Sequence, residues 1–98
     1  MVQFPPPDKE RPVLVLTRSS MIDRLSRITV APVTSTIRDV PSEVMLGAAD
    51  GLKRPCAVNL YNVTTVHRRV LGRRVALLDA ARMRDVCAAM AFALGCDA

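Results

Sequence analysis

Two short stretches of this sequence carry residues suited to gripping a phosphate. The first is KERPVLVLTR, Lys9 to Arg18, in which Arg11 stands directly before Pro12 and an aliphatic run. Proline has a fixed φ and no N–H, so it suits the first residue of a strand. It also biases Arg11 away from helical geometry and toward an extended conformation. A guanidinium held there is a planar, permanently charged fork for an oxyanion. The plainer alternative is an arginine that opens a strand and points into water. The second stretch is ITVAPVTSTIR, Ile28 to Arg38. An apolar strand pattern ends there in Thr34, Ser35 and Thr36, with Arg38 just beyond. Hydroxyls and backbone amides at a strand end can hold a phosphate, and a nearby arginine can neutralise it. The same three hydroxyls also suit a polar turn whose side chains bond their own backbone.

Other chemistries find less support. His67 is the only imidazole and suits acid–base work by its intrinsic titration range. Beside Arg68 and Arg69, however, it reads as a surface histidine. No acidic dyad or metal-ligand cluster stands out, so no metal dependence and no cofactor are expected. Cys56, Cys87 and Cys96 are odd in number, widely spaced and free of any C-x-x-C pair. Cys87 falls in an apolar helical pattern and is expected in the core. This usage fits a reducing cytosol. No secretory leader is recognisable at the N-terminus. The apolar run Val86 to Leu94 is too short to span a bilayer, so no membrane role is expected.

The elements that must position these residues are short. Ninety-eight residues predict one domain, spanning 1–98, with a modest core. Phe4, Tyr61 and Phe92 are the only aromatics, so that core must be aliphatic. The net charge is +5, and arginine supplies nearly all of the 14 basic residues. No acid occurs between Asp50 and Asp79, whereas Lys53, Arg54, Arg68, Arg69, Arg73 and Arg74 do. A basic surface of this kind suits nucleic acid, an acidic protein or an anionic membrane; the alternative is an ordinary solvated surface. Strands are predicted at Val13 to Thr17, Arg27 to Val33, Ser42 to Leu46, Cys56 to Leu60, Val63 to Val66 and Leu71 to Leu78. Pro32 argues that the second of these lies at an edge or ends there. Ser19 and Ser20 can cap a short helix. From Asp79 the period changes: Met83, Val86, Cys87, Met90 and Leu94 recur on one helical face. Asp79 is the expected N-cap and Gly95 the stop, with Arg82, Arg84 and Asp85 off the apolar stripe. Short strands followed by one long helix predict a small, strongly bent sheet or barrel with the helix packed against it.

Taken in order, RPVLVLTR, VAPVTST, PSEVML, GLKRPCAVNLYNVTTV, LGRR and ALLDAARMRDVCAAMAFALG resemble the MazF/PemK toxins of bacterial type II toxin–antitoxin systems. The resemblance runs over about residues 9 to 95. It implies an α+β fold, a small SH3-like β-barrel of the CcdB/MazF type with a C-terminal helix, usually as a homodimer. It also implies a metal-independent, sequence-specific endoribonuclease that cuts single-stranded RNA, inhibits translation and growth, and is neutralised by a cognate antitoxin through an acidic, flexible segment. The family's catalytic arginine falls on Arg11 and its catalytic threonine on Thr34. Under the same resemblance Lys9, Ser35, Thr36, Arg38, Arg54, Tyr61 and Asn62 are expected to bind RNA. Lys9, Arg38 and Arg54 would meet phosphates. Tyr61 would either stack on a base or serve as a structural tyrosine, and Asn62 would read a base.

The sequence departs from the family at three places. Where the family opens on a strand of the pattern G-[DE]-[IV]-W-x-V-[DN], only MVQF stands here, which predicts a very short first strand or a start upstream of Met1. The loop expected over the RNA is reduced to PPPDKE. The family's Q-[IV]-R-T reads Asn62 to Thr65, NVTT, so one groove arginine is missing. Two other functions share the resemblance: a non-enzymatic gyrase poison like CcdB, and a noncatalytic SH3-like RNA-binding module. The Arg11 and Thr34 motifs favour the nuclease over both.

Overall fold

The structure is a computed structural model that describes residues 2–3, 12–72 and 74–96. Lys9 and Arg11 lie outside the described residues. Among those described, seven strands form one antiparallel sheet: β1 (Val2–Gln3), β2 (Val13–Val15), β3 (Arg27–Thr34), β4 (Glu43–Leu46), β5 (Cys56–Asn59), β6 (Thr64–His67) and β7 (Arg74–Ala76). A single-turn helix, α1 (Ser19–Ile22), joins β2 to β3, and α2 (Ala80–Leu94) follows β7. The strand order is β4-β5-β3-β2-β1-β7, with β6 also paired to β3. The fold is therefore α+β, an antiparallel sheet with a C-terminal helix. Among the described residues no ladder joins β4 to β7. Among the described residues the first strand is two residues long, and the last is shorter than the run Leu71 to Leu78 suggests. Ser19 is the first residue of α1 and not its cap, a position held by Arg18.

β3 is the axis of the sheet. One edge pairs with β2, where Leu14 lies opposite Ala31. The other edge is divided: Arg27 to Val30 pair with β6, and Val33 and Thr34 with β5. Leu16 N–H donates to the Thr29 carbonyl and Val33 N–H to the Pro12 carbonyl. Residues 29 and 33 thus turn their backbone groups toward β2, and residue 32 turns toward the divided edge. Pro32, which has no N–H to offer, sits where β3 changes partner and the 3-10 turn Leu60–Asn62 replaces a strand. Of the two expectations, the edge position is corrected, because Pro32 lies inside the central strand and no ladder bond is required of it there, whereas the strand does end nearby, at Thr34.

Alternation along the strands makes two apolar layers. Leu14, Ala31, Val33, Val44, Leu46, Val58 and Leu60 form the larger one with Leu78, Val86 and Ala89 beneath α2. Val15, Ile28 and Val30 face the other way, toward Ile22, Val66 and Leu71. Leu14, Ile28 and Leu60 are almost fully buried. Burying each such side chain contributes about 1.5–3 kcal/mol.

The start and stop of α2 follow the sequence. The Asp79 carboxylate accepts from Arg82 N–H at 2.8 Å, and Gly95 takes the left-handed φ of +75° that ends the helix. Its buried face follows in part. Met83, Val86, Ala89, Met90 and Ala93 pack inward, whereas Cys87 is exposed and Leu94 is 68% exposed. Cys87 is therefore not a core residue. The true stripe uses Ala89 and Ala93, whose small side chains let the helix approach β4 and the turn Leu60–Asn62 closely. No described helix is long and apolar enough to cross a membrane.

Candidate functional site

Thr34 ends β3 opposite Ala57 of β5. It shares the strand face of Ile28 and Val30, away from α2. Half-buried, it accepts a hydrogen bond at Oγ1 from Thr36 N–H at 3.0 Å. The threonine hydroxyl therefore makes the self-bonded polar turn, yet it keeps its own O–H to donate to a ligand oxygen. Ser35 and Thr36 are exposed.

Two hydrogen bonds anchor the neighbourhood. Val33 N–H donates to the Pro12 carbonyl at 3.0 Å, which fixes the start of β2 beside the end of β3. Arg38 N–H donates to Glu43 Oε1 at 2.9 Å, folding the connection 35–42 back toward the start of β4. Asp39 makes the turn at a φ of +53°, a left-handed backbone that Asp tolerates better than most residues. The Arg38 side chain remains exposed.

Arg54 lies just before β5, the strand that carries the partner of Thr34. It is exposed and stands three residues before Ala57, the partner of Thr34. The segment delivering it is clamped. Arg82 of α2 donates through Nε to Asp50 Oδ1 at 2.9 Å and through a terminal nitrogen to Oδ2 at 3.3 Å. Asp50 Oδ2 also accepts from Gly47 N–H at 3.0 Å. The Arg82 bond is the main reason the Asp50 carboxyl titrates below its ordinary value; burial opposes it, and the Gly47 amide and the Arg82 charge add to it. Arg82 lies off the apolar stripe, as expected, and turns its guanidinium to Asp50. Gly51 then turns the chain at a φ of +87° with Ala76 close behind it, so a side chain there is strained.

Tyr61 and Asn62 lie elsewhere, in the turn Leu60–Asn62 beside the middle of β3. Asn59 Oδ1 accepts from Tyr61 N–H at 2.9 Å and so shapes that turn. Tyr61 is 62% exposed, too exposed for a core role. Asn62 is exposed as well. The supporting residues Glu43, Asn59, Asp50 and Arg82 were not singled out from sequence. Only Asn59 carried a local signal, an Asx residue two positions before the amide that it caps.

His67 pairs with Arg27, at the far end of β3 from Thr34. Seven residue steps at about 3.3 Å separate the two ends, roughly 23 Å. Desolvation, then the charges of Arg69, Arg27 and Arg68, lower its titration below the ordinary imidazole range. Its Nδ1 accepts from Arg69 N–H at 3.2 Å. It does not join Thr34. Cys56 lies close to the Thr34 end, but burial, reinforced by the Asp50 charge, raises its thiol above the ordinary value, which disfavours the reactive thiolate. Among the described residues no three His, Cys, Asp or Glu side chains gather as a metal-ligand group.

The family described as PemK-like, MazF-like toxin of type II toxin–antitoxin system matches residues 1–94. The chain belongs to this family. Its relatives include the probable endoribonuclease MazF5 of Mycobacterium tuberculosis, 46% identical over 87 residues, covering 88% of this chain and 80% of that protein. Endoribonuclease MazF3 of the same species is 41% identical over 75 residues, covering 76% and 73%. Among solved structures, the M. tuberculosis toxin MazF-mt6 superposes with a TM-score of 0.88 at 35% identity, over 96% of this chain and 95% of that one. A mycobacterial endoribonuclease solved with its cognate antitoxin superposes with a TM-score of 0.82 at 25% identity, over 96% and 90%. The motif order in the MazF-like sequence and its fold thus agree over nearly the whole chain.

Proposed function

We propose that this MazF-family toxin is a sequence-specific endoribonuclease for single-stranded RNA, with Arg11 and Thr34 as its catalytic pair and no metal in the reaction. The observation that carries this reading is the bond between the Pro12 carbonyl and Val33 N–H. It joins the residue after Arg11 to the residue before Thr34, so two stretches that each suit a phosphate come from adjacent strands. We read the bent sheet as an SH3-like barrel of the CcdB/MazF type and the chain as one toxin domain, acting in the cytoplasm as a homodimer.

In this mechanism the RNA 2′-oxygen attacks the adjacent phosphorus. A 2′-O–P bond forms and the P–O5′ bond breaks, giving a 2′,3′-cyclic phosphate and a 5′-hydroxyl. The proton lost from the 2′-oxygen balances the one gained by the 5′-oxygen. Negative charge grows on the phosphoryl oxygens during the step. A guanidinium at residue 11 stabilises that charge more than it stabilises the ground state, and the Thr34 hydroxyl donates to the same oxygens. Arginine stays protonated, so it serves here as an electrostatic clamp and not as a base. Ser35, Thr36, Lys9, Arg38 and Arg54 position the backbone around this centre.

The partner that silences the toxin is a cognate antitoxin, whose acidic, flexible segment lies on the acid-free surface contributed by Gly51 to Leu78. Salt screens such docking, with a screening length of about 10 Å at 0.1 M.

The test is cleavage of a long single-stranded RNA in EDTA, with gyrase supercoiling measured in parallel. Cleavage leaving a cyclic phosphate and a 5′-hydroxyl supports the nuclease. Inhibited gyrase with intact RNA selects the gyrase poison, and RNA bound but uncut selects the noncatalytic module.

A further inference from the structure

The segment from β5 to β6 tracks β3 in reverse, from Ala57 opposite Thr34 to His67 opposite Arg27. Along the way it exposes Tyr61, Asn62, Thr64 and Thr65, which are stacking and hydrogen-bonding side chains without a single acid. The track ends in three exposed arginines. Arg27 pairs across the ladder with His67, and Arg68 and Arg69 follow in the turn Arg68–Val70. The Arg68 amide donates to the Ser26 carbonyl at 2.8 Å, which holds this turn against the start of β3. Among the described residues, the acid paired with the cluster is Asp23, 3.9 Å from Arg68 and fully exposed, so the neutralisation is weak.

We propose that Arg27, Arg68 and Arg69 form a second phosphate-binding site for the RNA strand that the Thr34 end cuts. This rests on the endoribonuclease reading. Arginine forks suit phosphate oxygens, and the exposed Tyr61, Asn62, Thr64 and Thr65 lie along β3 between its two ends; Arg27 is an odd number of positions from Thr34 and sits on the opposite face of β3, so the RNA strand passes over the β6 side of the sheet to reach it. Desolvation first, then the charges of Arg69, Arg27 and Arg68, hold the His67 titration below its ordinary range. The separation of roughly 23 Å corresponds to about seven phosphates of a stacked single strand, at about 3.4 Å each. A substrate trimmed to its cleavage site cannot reach the arginines, whereas a long RNA can.

The experiment compares the wild type with the double variant Arg27→Gln/Arg69→Gln. Arg68 is retained because it donates to the Ile22 carbonyl at 3.2 Å and helps to dock α1. Two RNAs share one cleaved site: a short oligonucleotide, and a strand extended by about twelve nucleotides on each side, enough to exceed the seven-phosphate reach. Equilibrium binding of the extended strand, made uncleavable by a 2′-deoxy substitution, is followed against salt. The expected result is a salt slope shallower by about 1.4 in the double variant, from about 0.7 per lost phosphate contact, with kcat/KM on the short oligonucleotide unchanged. An unchanged binding slope overturns the proposal. So does an unchanged slope with weakened antitoxin binding, which would make the patch a protein-docking surface. Failure of the wild type to cut either RNA would count against the nuclease reading alone, because the binding slope is read without cleavage.

Discussion

The Pro12 carbonyl accepts a hydrogen bond from Val33 N–H at 3.0 Å. One covalent step from each partner lie Arg11 and Thr34, the two residues proposed to act on the scissile phosphate. A strand that opens with proline keeps its carbonyl for this ladder bond while giving up the N–H it does not need. Pro12 thus registers the start of β2 against the end of β3.

Substituting Arg11 by Ala should lower kcat by about 100- to 1,000-fold, the loss seen when one donor to a developing oxyanion is removed. Thr34→Ala should cost less, because a neutral hydroxyl contributes a weaker bond than a guanidinium. Single-turnover cleavage of a labelled RNA measures both, with circular dichroism as the control for folding. Wild-type rates in Arg11→Ala would remove the assignment.

The Asp50–Arg82 pair should appear in the pH dependence of stability. The folded-state carboxyl titrates below its ordinary value of 3.8. Its stabilisation is therefore complete above that value and is lost as pH falls through the lower folded one. Asp50→Asn should destabilise the fold by about 1–2 kcal/mol at pH 7, through loss of charge-assisted bonds. Urea unfolding should show a gap between wild type and variant that is constant from pH 7 to 5 and narrows below pH 4. A gap that widens in acid would contradict the assignment.

The cysteines should separate by reactivity. Cys87 and Cys96 are exposed, and Cys56 is half-buried with its thiol pushed up by burial and by Asp50. Iodoacetamide at mildly alkaline pH should alkylate Cys87 and Cys96 first, because only the thiolate reacts. Peptide mass spectrometry with time checks the order. Early labelling of Cys56 would show that β5 opens at its Thr34 end.

Base reading and phosphate gripping should separate too. Asn62→Ala should alter the set of sites cut, because an exposed amide can form paired bonds to a splayed base. Arg38→Ala and Arg54→Ala should weaken binding to all sequences alike and flatten the salt slope, each by roughly 0.7 to 1. Sequencing of 5′-hydroxyl ends from a long RNA gives the site preference. An unchanged preference for Asn62→Ala beside a shifted one for Arg38→Ala would exchange the roles.

Local chemistry was legible in the chain itself. Asp79 and Gly95 mark the ends of α2 through capping and a left-handed backbone, both of which depend on a few adjacent residues. Arg-Pro before an aliphatic run marks a strand start, and the order of the motifs is enough to suggest the MazF/PemK family. What joined distant segments was not legible. Asp50 and Arg82 are 32 positions apart, and neither has a neighbour that announces the other. Cys87 and Leu94 looked like core because hydrophobic periodicity weighs large side chains. The packed face in fact uses Ala89 and Ala93, where closeness of approach matters more than side-chain volume. Pro32 looked like an edge residue because proline breaks ladders, but a central strand that changes partner at that point requires no bond from it. His67 stands at the opposite end of β3 from Thr34 because antiparallel register, set by burial across both faces of the sheet, places Ala57 beside Thr34 and His67 beside Arg27. Pairing of this kind depends on the whole sheet at once, so only the tertiary structure decided it.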